Sequence, residues 1–104
     1  MSLGNVIRDH RKTLEISQKQ LAQKIKKEDG ESISPQYLND IELGRRNPPE
    51  YILDQLAELL KLPRDHLYLL AGQLPSELRP DKYDARRLRQ AFQAFRRELR
   101  KKDG

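Results

Sequence analysis

The sequence predicts an all-α protein in which five helices form one domain and a sixth follows, and three observations support this fold class. Apolar residues recur at helical spacing in six segments, and no segment shows the alternation of a half-buried strand. Two segments open with a serine that follows an isoleucine, which is an entry signal of a capped helix. Glycines and prolines separate the segments. We therefore expect helices packed on one core.

Local signals place the helix ends. Ser17 is followed three residues later by Gln20, the capping-box pairing, and Ser34 precedes Pro35, which suits the first helical position because its missing amide costs nothing there. Leu3, Ile7 and Leu14 share one face of the first helix. The expected helices are about 3–14, from 17 to about 25, 34–43 with Gly44 as terminator, 49–62, 64–71 with Gly72 as terminator, and 84–102.

The composition excludes several classes of protein. The chain has 104 residues and no cysteine, so it is too short for a multidomain enzyme and cannot hold a disulfide or a thiolate metal site. His10 and His66 lack the spacing of a metal pair, and we expect no metal and no cofactor. Neither a membrane-length apolar run nor a leader-like start is present, so we expect a cytoplasmic protein with no membrane partner.

The net charge of +5 is unevenly distributed along the chain. Residues 1–74 carry 11 basic and 11 acidic residues, whereas residues 75–104 carry 10 basic and 5 acidic ones. Pro75 and Pro80 mark a linker between the two parts. We predict a domain over 1–72, a linker over 73–83 and a basic amphipathic helix over 84–104. Affinity of the first part for an anion would depend on where its charges lie.

Specific runs within this outline carry a family resemblance. They are ISQKQLA at 16–22, IS at 33–34 and IELGRRNP at 41–48, supported by IRDHR at 7–11 and LAELLKL at 56–62. In this combination the chain resembles the phage repressor/Cro-like (XRE-type) family of helix-turn-helix transcriptional regulators. The resemblance implies that the second and third helices form the motif and that the third, about Ser34–Leu43, is a recognition helix in the major groove of DNA.

The resemblance also implies roles for individual residues. The base-reading candidates are Gln36, Asn39 and Asp40, because carboxamides can bond adenine and a carboxylate can accept from cytosine N4. The phosphate-contact candidates are Gln18, Lys19, Tyr37, Arg45 and Arg46. Several have a plainer alternative: Gln36 and Asn39 as a solvated helix face, Tyr37 as a packing residue, and the two arginines as part of a surface loop.

Arg11 and Glu42 are expected to form a structural salt bridge beneath the recognition helix, since the equivalent residues of the family do so. One departure from the family is the segment 26–32, which lengthens the turn between the two motif helices. Its acidic residues Glu28, Asp29 and Glu31 would repel a phosphate if they faced DNA. This insertion leaves the relative angle of the two helices open.

The last helix carries an apolar seam. Ala85, Leu88, Phe92, Phe95 and Leu99 follow one another at steps of three and four, as the core positions of a coiled coil do. Arginines occupy the other faces: Arg86, Arg87, Arg89, Arg96, Arg97 and Arg100. Two heptads are too short to be stable alone, so the seam is expected to pack on a second copy, on its own domain or on a partner protein. The plainer alternative is a solvated basic face on a packing helix.

These observations favour a transcriptional regulator, expected to be a repressor, that binds double-stranded DNA as a homodimer. The alternative is an antitoxin-like module whose last helix captures a partner protein. Nucleophile motifs and glycine-rich phosphate loops are missing from the sequence, so we do not expect an enzyme.

Overall fold

The computed structural model describes residues 2–101, and the regular structure in that range is helical. The helices are α1 (Leu3–Thr13), α2 (Gln18–Lys24), α3 (Pro35–Glu42), α4 (Glu50–Leu60), α5 (Arg64–Ala71) and α6 (Ala85–Arg100), with 3₁₀ turns at Ser76–Leu78 and Pro80–Lys82. This confirms the all-α fold class. Lys102, the predicted end of α6, lies outside the described residues. The chain divides between Gln73 and Leu74 into two compact units.

The two predicted serine caps are present. Ser17 Oγ accepts a hydrogen bond from the backbone N–H of Gln20 (3.0 Å), whose side-chain oxygen accepts one from the backbone N–H of Ser17 (2.8 Å). At the start of α3, Ser34 Oγ accepts from the backbone N–H of Tyr37 (3.0 Å), and Pro35 is the first helical residue. Both helices of the motif therefore begin where their own sequence signals predict.

Four helices end on a residue in the left-handed conformation: Glu15 after α1, Gly44 after α3, Lys61 after α4 and Gly72 after α5. At α3 the N–H of Arg45 donates to the carbonyl of Asp40 (2.8 Å) and that of Gly44 to the carbonyl of Ile41 (3.1 Å), which is a Schellman motif. Glycine adopts this conformation without strain, and the two glycine ends were predicted. Nothing in the sequence marks Glu15 or Lys61 for this role.

The core of the first unit consists of apolar side chains from α1 to α5. Ile7, Leu21, Leu38, Leu53 and Leu67 are all fully buried, one from each helix. The prediction of a shared inward face on α1 is right for Leu3 and Ile7 but wrong for Leu14. Leu14 follows the end of α1 and is 37% exposed, because the helix stops before Leu14 completes the face.

Polar groups also join α4 to α5. Asp54 Oδ1 accepts hydrogen bonds from the Tyr68 hydroxyl (2.7 Å) and from Arg64 Nε (2.7 Å), and the Arg64 guanidinium lies 4.9 Å from the centre of the Tyr68 ring. Burial, followed by the bond to Asp54, raises the pKa of Tyr68 above its ordinary value. The hydroxyl therefore stays protonated and keeps donating to Asp54.

A buried ion pair connects the first three helices. Arg11 Nε and Nη2 donate to the two carboxylate oxygens of Glu42, at 2.8 and 3.1 Å, and Arg11 Nη1 donates to the carbonyl of Ile16 at 3.0 Å. The Arg11 side chain is 10% exposed and that of Glu42 is 2% exposed. Arg11 belongs to α1, Glu42 ends α3 and Ile16 precedes α2. This one guanidinium therefore links α1 to the end of α3 and to the residue before the N-cap of α2.

The backbones of α1 and α3 approach closely at Gly4. A Cβ atom added there would lie 2.8 Å from the carbonyl oxygen of Ile41 and closer still to that of Glu42. Those oxygens belong to the helix backbone and cannot rotate away as a flexible side chain would. Glycine at this position therefore allows α1 to approach the end of α3.

The segment between α2 and α3 is a folded turn. Lys26 and Ser32 form an isolated antiparallel bridge, the N–H of Lys27 donates to the carbonyl of Glu31 (2.8 Å), and Gly30 has a φ of 87°. The Gln55 side chain on α4 pairs with the Lys26 backbone, accepting from its N–H (2.7 Å) and donating to its carbonyl (2.9 Å). The inserted residues are therefore ordered by their own bonds and by α4.

We predict that Gly4→Ala lowers the free energy of unfolding by about 1–3 kcal/mol, because the added methyl group must displace one helix from the other. Alanine otherwise favours a helix over glycine by up to about 1 kcal/mol, so a loss of stability identifies the close approach as the cause. Urea denaturation measures it, with Lys12→Ala, at an exposed position of α1, as the control. A Gly4→Ala protein as stable as the parent would contradict the prediction.

We also predict that Arg11→Ala lowers the free energy of unfolding by about 3–5 kcal/mol, because it leaves the Glu42 carboxylate buried without its cation. Arg11→Ala/Glu42→Ala removes both charges and should cost clearly less than the sum of the two single changes. Thermal melts of the three variants and the parent give the coupling energy. Additive losses would show that the pair does not act as a unit.

Candidate nucleic-acid interface

One side of α3 is anchored in the core and the other carries polar side chains. Leu38 and Ile41 are buried, which fixes the rotation of the helix. Gln36 is exposed, whereas Asn39 and Asp40 are half-buried. We call Gln36, Tyr37, Asn39 and Asp40 the α3 face. The three predicted base-reading residues thus lie along a single exposed side of one capped helix.

Gln18 links α2 to the α3 face. Its Nε2 donates to Asn39 Oδ1 (3.1 Å) and to Glu42 Oε1 (3.1 Å). Because a carboxylate can only accept, the amide nitrogen is the group that must face Glu42. Both Nε2 hydrogens are then used inside the protein, and the Asn39 Nδ2 group is left to point elsewhere. The resemblance implies a phosphate contact for Gln18 and gives no sign of this bridge, because the bridge depends on how α2 packs against α3.

A second pair lies within the α3 face. Gln36 Nε2 donates to Asp40 Oδ1 at 2.9 Å, across one helical turn. The pair leaves the Gln36 carbonyl oxygen and the second Asp40 oxygen available as acceptors. This part of the face therefore suits donor groups, such as the exocyclic amines of cytosine and adenine.

Tyr37 lies beneath an arginine. The guanidinium of Arg46 is 4.3 Å from the centre of the Tyr37 ring, a cation–π distance. The Tyr37 ring is half-buried and packs against the core. This contact restricts Arg46 beside the α3 face. It agrees with a packing role for Tyr37, and the predicted phosphate contact of its hydroxyl stays a prediction.

The other basic candidates are exposed. The Arg45 and Arg46 backbone N–H groups both donate to the carbonyl of Asp40, at 2.8 and 3.3 Å, so the end of α3 fixes where both arginines start. Lys19 is exposed in the first turn of α2. Their contacts with phosphate stay predictions.

The turn after the two arginines is held by contacts that the sequence did not indicate. Asn47 Nδ2 donates to the carbonyl of Ala71 (3.1 Å), and Gln73 Nε2 donates to that of Pro48 (2.7 Å). The segment is thereby attached to the end of α5. In the sequence, Asn47 belongs only to the family run IELGRRNP, which does not indicate this contact.

The acidic tip of the inserted turn lies near Tyr51 on α4. Partial desolvation raises the pKa of the Tyr51 hydroxyl, and repulsion from the charges of Glu28 and Asp29 adds smaller contributions in the same direction. Asp29 Oδ1 also accepts from the N–H of Glu31 (2.9 Å), which orders the tip.

Within residues 2–101, no group of three or more histidine, aspartate or glutamate side chains is arranged to hold a metal ion. The helices of the same range include none that is long and apolar enough to cross a membrane.

Comparison with known proteins agrees with this geometry. A family model described as helix-turn-helix matches residues 7–67, which includes α2, α3 and the turn between them. Two Mycobacterium tuberculosis proteins, from strains CDC 1551 / Oshkosh and H37Rv, are each 37% identical over 75 residues, covering 71% of this chain and 49% of the relative. Both are named uncharacterized HTH-type transcriptional regulators, and the chain spans about half their length. The chain belongs to the phage repressor/Cro-like, XRE-type helix-turn-helix family.

Proposed function

We propose that the protein is a transcriptional regulator that binds a specific sequence of double-stranded DNA with α3 in the major groove. The observation that carries this proposal is the α3 face: a capped helix, fixed by buried Leu38 and Ile41, that presents polar side chains beside exposed cations. The names of the two mycobacterial relatives support the same class of function.

The residues of the α3 face that are proposed to read bases differ in the hydrogen-bonding groups that they present. The Gln36–Asp40 pair presents acceptors, so it suits an adenine or cytosine amino group. Asn39 is held through its Oδ1 by Gln18, so its Nδ2 donor is directed at an acceptor such as guanine O6 or N7. Asp40 brings an anion close to the phosphates, which disfavours any sequence that does not offer it a donor.

The side chains proposed to contact the DNA phosphates are those of Lys19, Arg45 and Arg46. Arg46 is held over the Tyr37 ring, which lowers the entropy that it loses when it meets a phosphate. The side-chain donors of Gln18 are occupied by Asn39 and Glu42, so its side chain does not contribute a phosphate contact in this arrangement.

The regulator is proposed to act as a repressor in the cytoplasm, as a two-fold dimer. One recognition helix covers only a few base pairs, too few to select one locus among the ~10⁶ or more competing sites of a genome. Two copies related by a two-fold axis would read inverted half-sites about 10 bp apart. Binding of this kind within a promoter would block transcription.

The alternative is that α6 captures a partner protein while the domain binds DNA. The exposed Phe92, Phe95 and Leu99 favour an interaction through this helix. Capture would require a partner that covers the apolar stripe of α6 and faces its arginines with acidic groups.

Binding to duplex DNA should weaken steeply as salt rises. Three cations per copy predict a slope of log affinity against log salt of about −3 for each half-site. Fluorescence titrations at several salt concentrations measure the slope, and Arg46→Ala should reduce it by about 0.9 per copy. Binding that is absent at low salt, or that does not respond to salt, would contradict the proposed function.

Mutations should distinguish residues that read bases from residues that contact phosphates. Gln36→Ala should weaken the preferred site by about 1–3 kcal/mol and leave random DNA nearly unaffected, whereas Arg46→Ala should weaken both alike. Selection from a random duplex library, followed by titration of the selected and a scrambled site, measures the difference. Gln23→Ala, an exposed position of α2, is the control. Identical behaviour of the two variants across the library would show that this division of roles is wrong.

A further inference from the structure

Helix α6 has an apolar stripe that its own unit, over the described residues 74–101, does not cover. Phe92, Phe95 and Leu99 are 56%, 49% and 70% exposed, and Leu88 is half-buried. Together with Ala85, these residues follow the spacing of a coiled-coil seam. The heptad positions a are Ala85, Phe92 and Leu99, and the heptad positions d are Leu88 and Phe95. Soluble proteins seldom leave such a stripe uncovered.

The two borders of the stripe differ in charge. One border, at the e positions, carries Arg89 and Arg96. The other border, at the g positions, carries Asp84, Ala91 and Glu98. Asp84 is also the N-cap of the helix, where its Oδ1 accepts from the backbone N–H of Arg87 (2.8 Å). The basic border therefore lies opposite one that has no cation of its own.

We propose that α6 pairs with α6 of a second copy as a parallel, in-register coiled coil. In a parallel pair each e position faces a g position of the other helix, so Arg89 meets the partner's Asp84 and Arg96 meets the partner's Ala91. In an antiparallel pair the e positions face each other, so Arg89 would lie opposite the partner's Arg96 and the like charges would repel. The asymmetry of the borders therefore selects the parallel orientation.

The orientation also suits the proposed function, on which its biological purpose rests. Parallel helices start at the same end, so both DNA-binding units would join the coiled coil at one end. An antiparallel pair of this 16-residue helix would separate the two starting points by about 24 Å. Arg86 and Arg97 remain on the outside of the parallel pair, away from the seam.

The absence of cysteine from the chain allows a direct test. Full-length Leu88→Cys and Leu99→Cys variants would be oxidised separately and as a mixture, without DNA, and disulfide-linked dimers identified by mass. In a parallel pair, each introduced cysteine faces the same cysteine of the partner chain. The two Cα atoms then lie within the roughly 4–7 Å that a disulfide needs. Residues 88 and 99 lie about 16 Å apart along the helix, so the mixed dimer should be missing.

Matched controls decide the outcome. Gln90→Cys lies on the outer face and should link at least tenfold more slowly, while circular dichroism confirms that each variant keeps its helices. Mixed dimers between the two seam variants alone would overturn the parallel orientation, because an antiparallel pair brings Leu88 opposite Leu99. No linkage above the Gln90→Cys level would overturn self-pairing and leave the chain's own domain or a partner protein as the occupant. Since the assay holds no DNA, its failure is distinct from a failure of DNA binding.

Charge reversal gives a second readout by sedimentation equilibrium. Arg89→Glu faces the partner's Asp84 with a like charge and should weaken the dimer about two- to fivefold. Arg97→Glu makes the same change on the outer face and should leave the dimer unchanged. Equal effects of the two variants would contradict the parallel pairing.

Discussion

The arrangement of the DNA-binding unit depends on neutralising one buried carboxylate. Glu42 ends α3, where the partial negative charge of the helix C-terminus already disfavours an anion. It is also almost completely buried, so it requires a cation and hydrogen-bond donors nearby. Arg11 supplies two donors and the charge, and Gln18 supplies a third donor. Satisfying Glu42 therefore determines where α1, α2 and α3 meet.

The same carboxylate connects the interior to the exposed face. Gln18 can orient Asn39 only because Glu42 already fixes which end of its amide points inward. From Arg11 to Asn39, the groups form one hydrogen-bonded network that runs from α1 to the α3 face. Such a network holds Asn39, the proposed base-reading residue, in place before DNA binds, which would reduce the entropy lost on binding.

The residue pattern predicts what is local, and among the contacts between distant residues only the Arg11–Glu42 pair was expected, from the family resemblance. Ser17 and Ser34 were recognisable because a cap and its helix are neighbours in the chain. Helix ends at Gly44 and Gly72 were recognisable because glycine favours a positive φ, but Glu15 and Lys61 adopt the same conformation without any such signal.

The candidate site shows the same division. The resemblance identified Gln36, Asn39 and the arginines as candidates, yet it did not reveal their pairings. Gln18 with Asn39, and Tyr37 with Arg46, depend on how the helices pack, which one sequence does not contain. Gly4 is a similar case. Position 4 has no room for a side chain because the backbone of α3, some forty positions later in the chain, lies against it.

These contacts also explain why the longer turn between α2 and α3 is tolerated. In a short turn, the connection itself would restrict the angle between the two helices. Here the angle is fixed by Gln18 on α2, whose side chain bonds across to Asn39 and Glu42 on α3. The inserted residues need only close on themselves, at an entropic cost of about 0.6 kcal/mol per doubling of length. Gln55 then holds the base of the inserted turn against α4, so the insertion lengthens the connection without controlling the motif.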